Sequence, residues 1–340
     1  MHRCLQLAKL AAGDVAPNPM VGAVLVHEGK IIGEGYHEKF GAPHAEVNCL
    51  NSVKKEDKNN INKSTLYVSL EPCSHFGKTP PCTDLIIHNK INKVIIGCRD
   101  IFKEVNGRGI SKLLDAGVQV VTGVLEEECR QLNKRFFTFH QKHRPYIILK
   151  WAESADGKMA AGGMKPGQRT YISNACSNRL VHKWRSEEAS ILVGTQTALL
   201  DNPSLTTRFW KGKDPIRLVI DSNLRLPLHL ALFDKKARTI VFNTHKQQEE
   251  ENLVFYKIAT GDLHSMLTAL YELQIQSVLV EGGARLLQSF IDKGLWDEAR
   301  IIRNDQLVIG KGLSAPELKG GSLHHQEKCL GDLIRYINHE

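Results

Sequence analysis

No run of eighteen consecutive apolar residues occurs in the 340-residue chain, which argues against a membrane-spanning helix. The first twenty residues, MHRCLQLAKLAAGDVAPNPM, also lack the continuous apolar core of a secretory signal, being interrupted at Gly13 and Asp14. Aromatic residues are scarce, at 6%, and no block of five or more lysines and arginines stands out. The basic-plus-aromatic lining of a nucleic-acid groove is therefore missing. There is no low-complexity tail, and the two halves show no self-similarity. The second half has no Gly-x-Gly-x-x-Gly run of the kind that marks most nicotinamide-binding folds. A disulfide framework is not expected either: the eight cysteines are scattered over a long chain, so most are expected to be reduced and buried, with Cys73 and Cys82 as exceptions. These absences predict a cytoplasmic protein with no nucleic-acid and no membrane partner.

Apolar residues make up 42% and charged residues 24%, the balance of a soluble globular protein, and the length suits two domains rather than one core. The formal charge of +8, without a nucleic-acid signature, favours small phosphorylated ligands. Helices and strands alternate in both halves, which predicts two layered α/β domains, 1–144 and 145–340, with a boundary near Arg144-Pro145. In the first, a helix over 4–12 precedes a strand pair joined by a tight turn at His27-Glu28-Gly29-Lys30. HAEVNCLNSV and PPCTDLIIHNKI read as helices, and Lys54–Lys63 as a polar surface loop. LEEECRQLNKRFFTFHQKH reads as one helix. In the second half, YIILKWAES, SILVG, IRLVID, TIVFN, SVLVEGG and EARIIRN read as strands, with helices at 174–187, 262–274 and 283–293.

Two segments carry recognisable chemistry. APHAEV holds His44 and Glu46; LEPCSHFGKTPPC holds Cys73 and Cys82. One imidazole and two thiolates are the three protein ligands of a catalytic zinc that keeps its fourth position for water. Glu46, close by and not itself a ligand, is the natural proton shuttle, and His-x-Glu with Pro-Cys marks zinc deaminases of bases and nucleosides. Positions i and i+2 do not share a helix face, so His44 and Glu46 can converge only where a helix begins, and Pro43 fits such a start. Pro80-Pro81 likewise set Cys82 at a helix N-terminus, where positive partial charge favours a thiolate. Eight residues rather than two separate the cysteines. A structural site, with His75 as fourth ligand, is the alternative.

PNPMVGAVLV, GEGYH, HAEV, LEPCSHFGKTPPC and GRG together resemble the deaminase half of the bifunctional deaminase–reductases of riboflavin biosynthesis. The second half resembles the reductase part of that family through LKWAESADGKMA, YIS, HKWRSE, ILVGTQTALLDNPSLTTR and VIDS. The resemblance implies a cytidine-deaminase-like three-layer α/β/α domain followed by a dihydrofolate-reductase-like α/β domain. It implies one zinc per chain held by His44, Cys73 and Cys82, with Glu46 as proton donor. Asn18, His37, His75 and Lys78 would line the pyrimidine ribose-phosphate pocket. NADPH would contact Ala152, Tyr171, Thr197, Asp201, Ser222 and the stretch beginning Gly283, Ala284, Arg285, while Arg169, Arg185, Leu205, Arg208 and Glu281 would contact the second substrate. Arg185 and Arg208 suit a phosphate, since a guanidinium binds two of its oxygens at once. Lys150 and Glu281 are candidates for holding or protonating the reduced centre.

The family further implies phosphorylated pyrimidine substrates and a homo-oligomer. Its implied reactions are hydrolytic deamination of 2,5-diamino-6-ribosylamino-4(3H)-pyrimidinone 5′-phosphate, then NADPH-dependent reduction of the ribosyl group to ribityl. Departures are Ala155 in Ser154–Gly157, Tyr171-Ile172-Ser173, and Arg169 where a small polar residue is usual. The alternative is a zinc deaminase of another base, nucleoside or tRNA with a non-catalytic second domain.

Overall fold

In the computed structural model, residues 1–76, 80–101, 107–163 and 167–339 are described. Lys78 and part of the GGMKPGQ loop lie outside them. The chain divides into two compact units, Met1–Lys142 and His143–Glu340.

The first unit runs α1 (His2–Lys9), β1 (Gly22–His27), β2 (Lys30–Tyr36), α2 (Ala45–Asn51), β3 (Thr65–Leu70), α3 (Cys82–His88), β4 (Lys93–Cys98), α4 (Arg108–Asp115), β5 (Gln119–Val121), α5 (Glu126–Leu132) and α6 (Lys134–Lys142). Its sheet has the order β2-β1-β3-β4-β5, with β1 antiparallel to both neighbours and β3, β4 and β5 parallel. Side chains alternate across a strand, and the cores follow that period. Ala23 and Leu25 of β1 join Ala45, Cys49 and Leu50 of α2, Ile86 of α3 and Leu113 of α4 on one face. Val24 points the other way, onto Cys4 and Leu7 of α1. Leu70 and Cys98 meet Cys129 of α5 and Phe136 and Phe137 of α6 on the α1 side. Helices thus cover both faces, as expected of a cytidine-deaminase-like layer structure. α2 lies so close to β2 that a Cβ at position 35 would sit 2.2 Å from the Cys49 amide nitrogen; only glycine fits there.

Three local expectations change. Residues 55–63 form a 3-10 helix with no buried residue, held by short-range hydrogen bonds rather than left as an open loop. The helix expected through LEEECRQLNKRFFTFHQKH breaks at Asn133. Its side-chain carbonyl accepts from the Met20 amide (2.8 Å) and its Nδ2 donates to the Met20 carbonyl (2.9 Å). The first helix covers His2–Lys9 rather than 4–12.

The second unit runs β6 (Tyr146–Ser154), β7 (Lys158–Ala161), α7 (Ala175–Glu187), β8 (Ser190–Gly194), α8 (Thr195–Asp201), β9 (Ile216–Ile220), β10 (Thr239–Asn243), β11 (Gln248–Glu250), β12 (Leu253–Lys257), α9 (Leu263–Glu272), β13 (Ser277–Val280), α10 (Ala284–Asp292), β14 (Glu298–Asn304), β15 (Gly312–Ser314), β16 (Ser322–Cys329) and β17 (Asp332–Asn338). Its main sheet is ten-stranded, in the order β11-β12-β10-β9-β8-β13-β6-β14-β17-β16. The seven strands from β12 to β14 are parallel, and β11, β17 and β16 add antiparallel edges. Strands buried on both faces read as continuous apolar runs, which is why SILVG and SVLV were recognisable. Trp151, Phe242, Met266, Phe290 and Trp296 anchor the larger core. Cys176 of α7 and Cys329 of β16 form a disulfide, whereas Cys4, Cys49, Cys98 and Cys129 are free and buried. Among the described residues no helix is long and apolar enough to cross a membrane.

Candidate active sites: a three-donor metal centre and a buried ion cluster

In the first unit, His44 is the N-cap of α2, with extended backbone (φ −70°, ψ 165°), and Glu46 stands in the first helical turn. That break in helical geometry brings a residue and its i+2 neighbour to one place. Cys82 opens α3 behind Pro81, and Cys73 comes from the segment after β3. His44 Nδ1 lies 3.5 Å from Cys73 Sγ and 3.4 Å from Cys82 Sγ, and all three donor atoms fall within 4.8 Å of one another. Ligands of a tetrahedral zinc, with Zn–S of about 2.3 Å and Zn–N of about 2.0 Å, stand about 3.5 Å apart, so the donors fit that ion. Among the described residues the group has three members, and His75 is not one of them.

The Cys82 amide donates to Cys73 Sγ (3.3 Å). Hydrogen bonding from the Cys82 thiol, reinforced by His44 and against the pull of burial, holds Cys73 down to about 4. The same bond and burial push Cys82 up. Glu46 is buried at 3% exposure; burial, then the nearby Cys73 charge, raises its carboxyl.

Asn18 and His37 join this centre. Asn18 Nδ2 is 3.1 Å from His37 Nε2, and His37 Nδ1 is 3.0 Å from the Pro43 carbonyl. The carbonyl can only accept, so Nδ1 carries the proton and Nε2 accepts from Asn18, which makes the ring neutral. Burial lowers the His37 pKa in the same sense. Its ring packs edge-on against His44, with centroids 5.5 Å apart.

In the second unit, several of the residues singled out from sequence lie at or near the carboxyl ends of neighbouring parallel strands β9, β8, β13 and β6, where open α/β sheets bind ligands. Thr197 follows β8, Ser222 follows β9, and Glu281 and Gly283 follow β13. The Gly283 amide donates to Thr197 Oγ1 (2.9 Å), tying α8 to the start of α10. A Cβ at Gly261 would lie 2.4 Å from Ser222 Oγ. Arg169 is exposed and donates to the Asp201 carbonyl (2.7 Å). Tyr171 is 85% exposed. Ala152 sits within β6, half-buried; Ala284 and Arg285 begin α10, with Arg285 exposed.

Arg185 Nε and Nη2 each donate to Glu281, both at 2.8 Å, and Lys150 Nζ lies 3.7 Å from the same carboxylate. Burial would raise the Glu281 pKa; the charges of Arg185 and Lys150 overcome it and hold Glu281 at about 2. Burial lowers the Lys150 ammonium, with Glu281 partly offsetting it. The guanidinium fork expected to grip a phosphate is thus engaged in the protein: Arg185 orients Glu281. Arg208 is exposed and donates to Ser204 Oγ (2.8 Å). The Leu205 side chain is buried among Ile191, Val193 and Ala198, and its backbone takes φ +53°.

Sequence reasoning missed His182, one helical turn before Arg185. It is 1% exposed, its ring stands 4.8 Å from that of Phe209, and burial together with Arg185 and Arg208 lowers it to about 4. The i, i+3 spacing to Arg185 was the available signal.

Fold and site define a metal-binding deaminase unit followed by a reductase unit. The family described as the cytidine and deoxycytidylate deaminase zinc-binding region matches residues 1–98, and that described as the RibD C-terminal domain matches residues 145–321. A riboflavin biosynthesis protein RibD from Aquifex aeolicus is 42% identical over 325 residues, covering 94% of this chain and 89% of the relative. That of Escherichia coli is 36% identical, covering 97% of each. A solved structure from Thermotoga maritima is described as a diaminohydroxyphosphoribosylaminopyrimidine deaminase/5-amino-6-(5-phosphoribosylamino)uracil reductase. It superposes with a TM-score of 0.91 at 36% identity, covering 100% of this chain and 97% of that one. The chain belongs to the RibD family of riboflavin biosynthesis proteins. It is a bifunctional enzyme with a zinc-binding deaminase domain and an NADPH-dependent reductase domain.

Proposed function

We propose that the first unit deaminates 2,5-diamino-6-ribosylamino-4(3H)-pyrimidinone 5′-phosphate, and that the second reduces the ribosyl group of the resulting 5-amino-6-(5-phosphoribosylamino)uracil to ribityl. The observation that carries this reading is the convergence of His44, Cys73 and Cys82 within 4.8 Å, with Glu46 buried beside them. The Thermotoga relative's two described activities support the choice of substrates.

His44, Cys73 and Cys82 would hold zinc, which lowers the pKa of a bound water toward neutrality. Glu46 would take a proton from the attacking water and return protons to the ring nitrogen and to departing ammonia. The neutral His37 fixes the Asn18 amide, which pairs with the amide edge of the pyrimidine. His75 would line the ribose-phosphate side of the pocket; Lys78, assigned to the same side from the sequence, lies outside the described residues.

NADPH supplies the reducing equivalent in the second unit. Its binding falls to Ala152, Tyr171, Thr197, Asp201, Ser222, Gly283, Ala284 and Arg285 along the carboxyl edge of the sheet, while Arg208 and Arg169 face the substrate. Lys150, a stronger acid than an exposed lysine, donates a proton to the ribosyl oxygen as the sugar ring opens. Glu281, kept anionic by Arg185, holds the Lys150 ammonium in place. Replacing Lys150 by Met should lower kcat for reduction by about 10²–10⁴ and leave deamination unchanged.

The test is incubation of the diaminopyrimidine ribotide with enzyme, with and without NADPH, followed by mass spectrometry and ammonia release. Without NADPH, one amino group should be exchanged for oxygen; with it, two hydrogens should then be added. Glu46→Gln should release ammonia about 10²–10⁴ more slowly while retaining zinc. Full activity in that variant would remove Glu46 from the chemistry, and turnover of free nucleosides instead of the ribotide would favour the other-base reading.

A further inference from the structure

The segment that carries Cys73 is held by a buried carboxylate with no part in the proposed proton transfers. Glu71 follows β3; its amide continues the ladder by donating to the Cys98 carbonyl (3.0 Å), and its side chain turns inward at 4% exposure. Oε2 accepts from the amides of Asp100 (3.3 Å) and Gly107 (3.1 Å), and Oε1 from those of Gly109 (3.0 Å) and Ile110 (3.3 Å). Gly107 is the N-cap of α4 and has no side chain with which to cap it. Glu71, more than thirty residues upstream, therefore supplies the acceptor that the first helical amides lack, and its charge sits at the positive end of the helix. On the same spot α4 touches the backbone between Glu71 and Cys73: a Cβ at Gly109 would stand 2.1 Å from the Pro72 carbonyl oxygen.

We infer that Glu71 is a positioning residue for the metal centre: by clamping α4 against Pro72 it fixes where Cys73 presents its sulfur to His44 and Cys82. Cys73 is two residues beyond the clamp and comes from a segment in neither helix nor strand. His44 and Cys82, by contrast, are placed by the starts of α2 and α3. Of the three donors, Cys73 is the one outside a helix start: the Thr83 amide donates to its carbonyl (3.1 Å), and the segment that leads into it is tied by the Glu71 side chain to the amides of Asp100, Gly107, Gly109 and Ile110. The inference rests on the reading of these three residues as zinc ligands.

Groups that orient metal ligands typically contribute about 10–100-fold to affinity. The experiment measures zinc affinity of the full-length protein by competition with a chromophoric chelator, alongside thermal unfolding. Glu71→Gln keeps the shape but sets an NH2 against two backbone amides, Glu71→Ala removes the clamp, and Gly109→Ala pushes Pro72 from the other side. Leu25→Ala, in the β1 core, is the control for general destabilisation. All three clamp variants should bind zinc at least about tenfold more weakly than wild type, while Leu25→Ala at a comparable drop in unfolding temperature keeps wild-type affinity. Wild-type affinity in Glu71→Gln, or an equal loss in Leu25→Ala, overturns the proposal. If both Glu71 variants fail to fold, Gly109→Ala decides it alone. A wild-type protein that binds no zinc would instead overturn the ligand assignment itself.

Discussion

Glu281 shows at the level of one residue how the second unit holds charge inside a protein. Its side chain is 9% exposed, and burial alone would keep it protonated. Two hydrogen bonds from Arg185 and the nearby Lys150 reverse this and leave the carboxyl at about 2, against about 4.3 in an unfolded chain. Because the folded value lies below the unfolded one, the contribution to stability is complete above about pH 4.3 and is lost as pH falls toward 2. The depression corresponds to about 3 kcal/mol, and the burial cost borne by Lys150 works against it. Unfolding temperatures followed by circular dichroism between pH 5 and pH 2 should therefore fall more steeply for wild type than for Glu281→Gln, which has nothing to titrate there. Parallel slopes would show that the Arg185–Glu281–Lys150 cluster does not couple to folding.

Among elements, α2 matters most to the first site, because its start sets both His44 and Glu46. Its seat on β2 depends on Gly33 and Gly35; a Cβ at 35 would lie 2.2 Å from the Cys49 nitrogen, 2.6 Å from the Asn48 carbonyl carbon and 2.7 Å from the Ala45 oxygen. These are backbone atoms, so the helix must shift to make room. Gly35→Ala should cost the first unit about 1–3 kcal/mol in urea unfolding and slow ammonia release, with reduction unchanged; an unaltered deaminase rate would mean the helix start tolerates movement. This helix was legible in the sequence because Pro43 marks its start and Ala45, Cys49 and Leu50 share one apolar face. The preceding hairpin was legible for the same kind of reason: Glu28 and Gly29 take positive φ (46° and 76°) at the turn. The donor set was legible because few residue types bind zinc. What escaped were features decided by distant partners. Nothing in LEEECRQLNKRFF marks a break, since Met20 causes it across 113 positions. Arg185 meets Glu281 across 96 positions, and Cys176 meets Cys329 across 153. β16 is exposed along nearly its whole length, so no apolar alternation announces it.

At the scale of the whole molecule, each unit encloses its own cores: among the described residues, every cluster of buried apolar side chains lies wholly before or wholly after position 143. The metal donors all belong to the first unit, and the Lys150–Arg185–Glu281 cluster to the second. Zinc binding contributes folding free energy wherever its ligands come from separate elements, and here they come from the start of α2, the segment after β3 and the start of α3. Stripping zinc with a chelator, or replacing Cys82 by Ser, should therefore abolish ammonia release and lower the unfolding temperature of the first unit alone. NADPH oxidation on the already deaminated substrate should continue at the wild-type rate, because its proposed residues all belong to the second unit. Glu281→Gln should give the reverse pattern, with ammonia released and no NADPH consumed. Calorimetry and the two assays on the same preparations check both halves of this expectation. A loss of reduction on zinc removal would mean that the two chemistries are coupled through the chain rather than carried by separate cores.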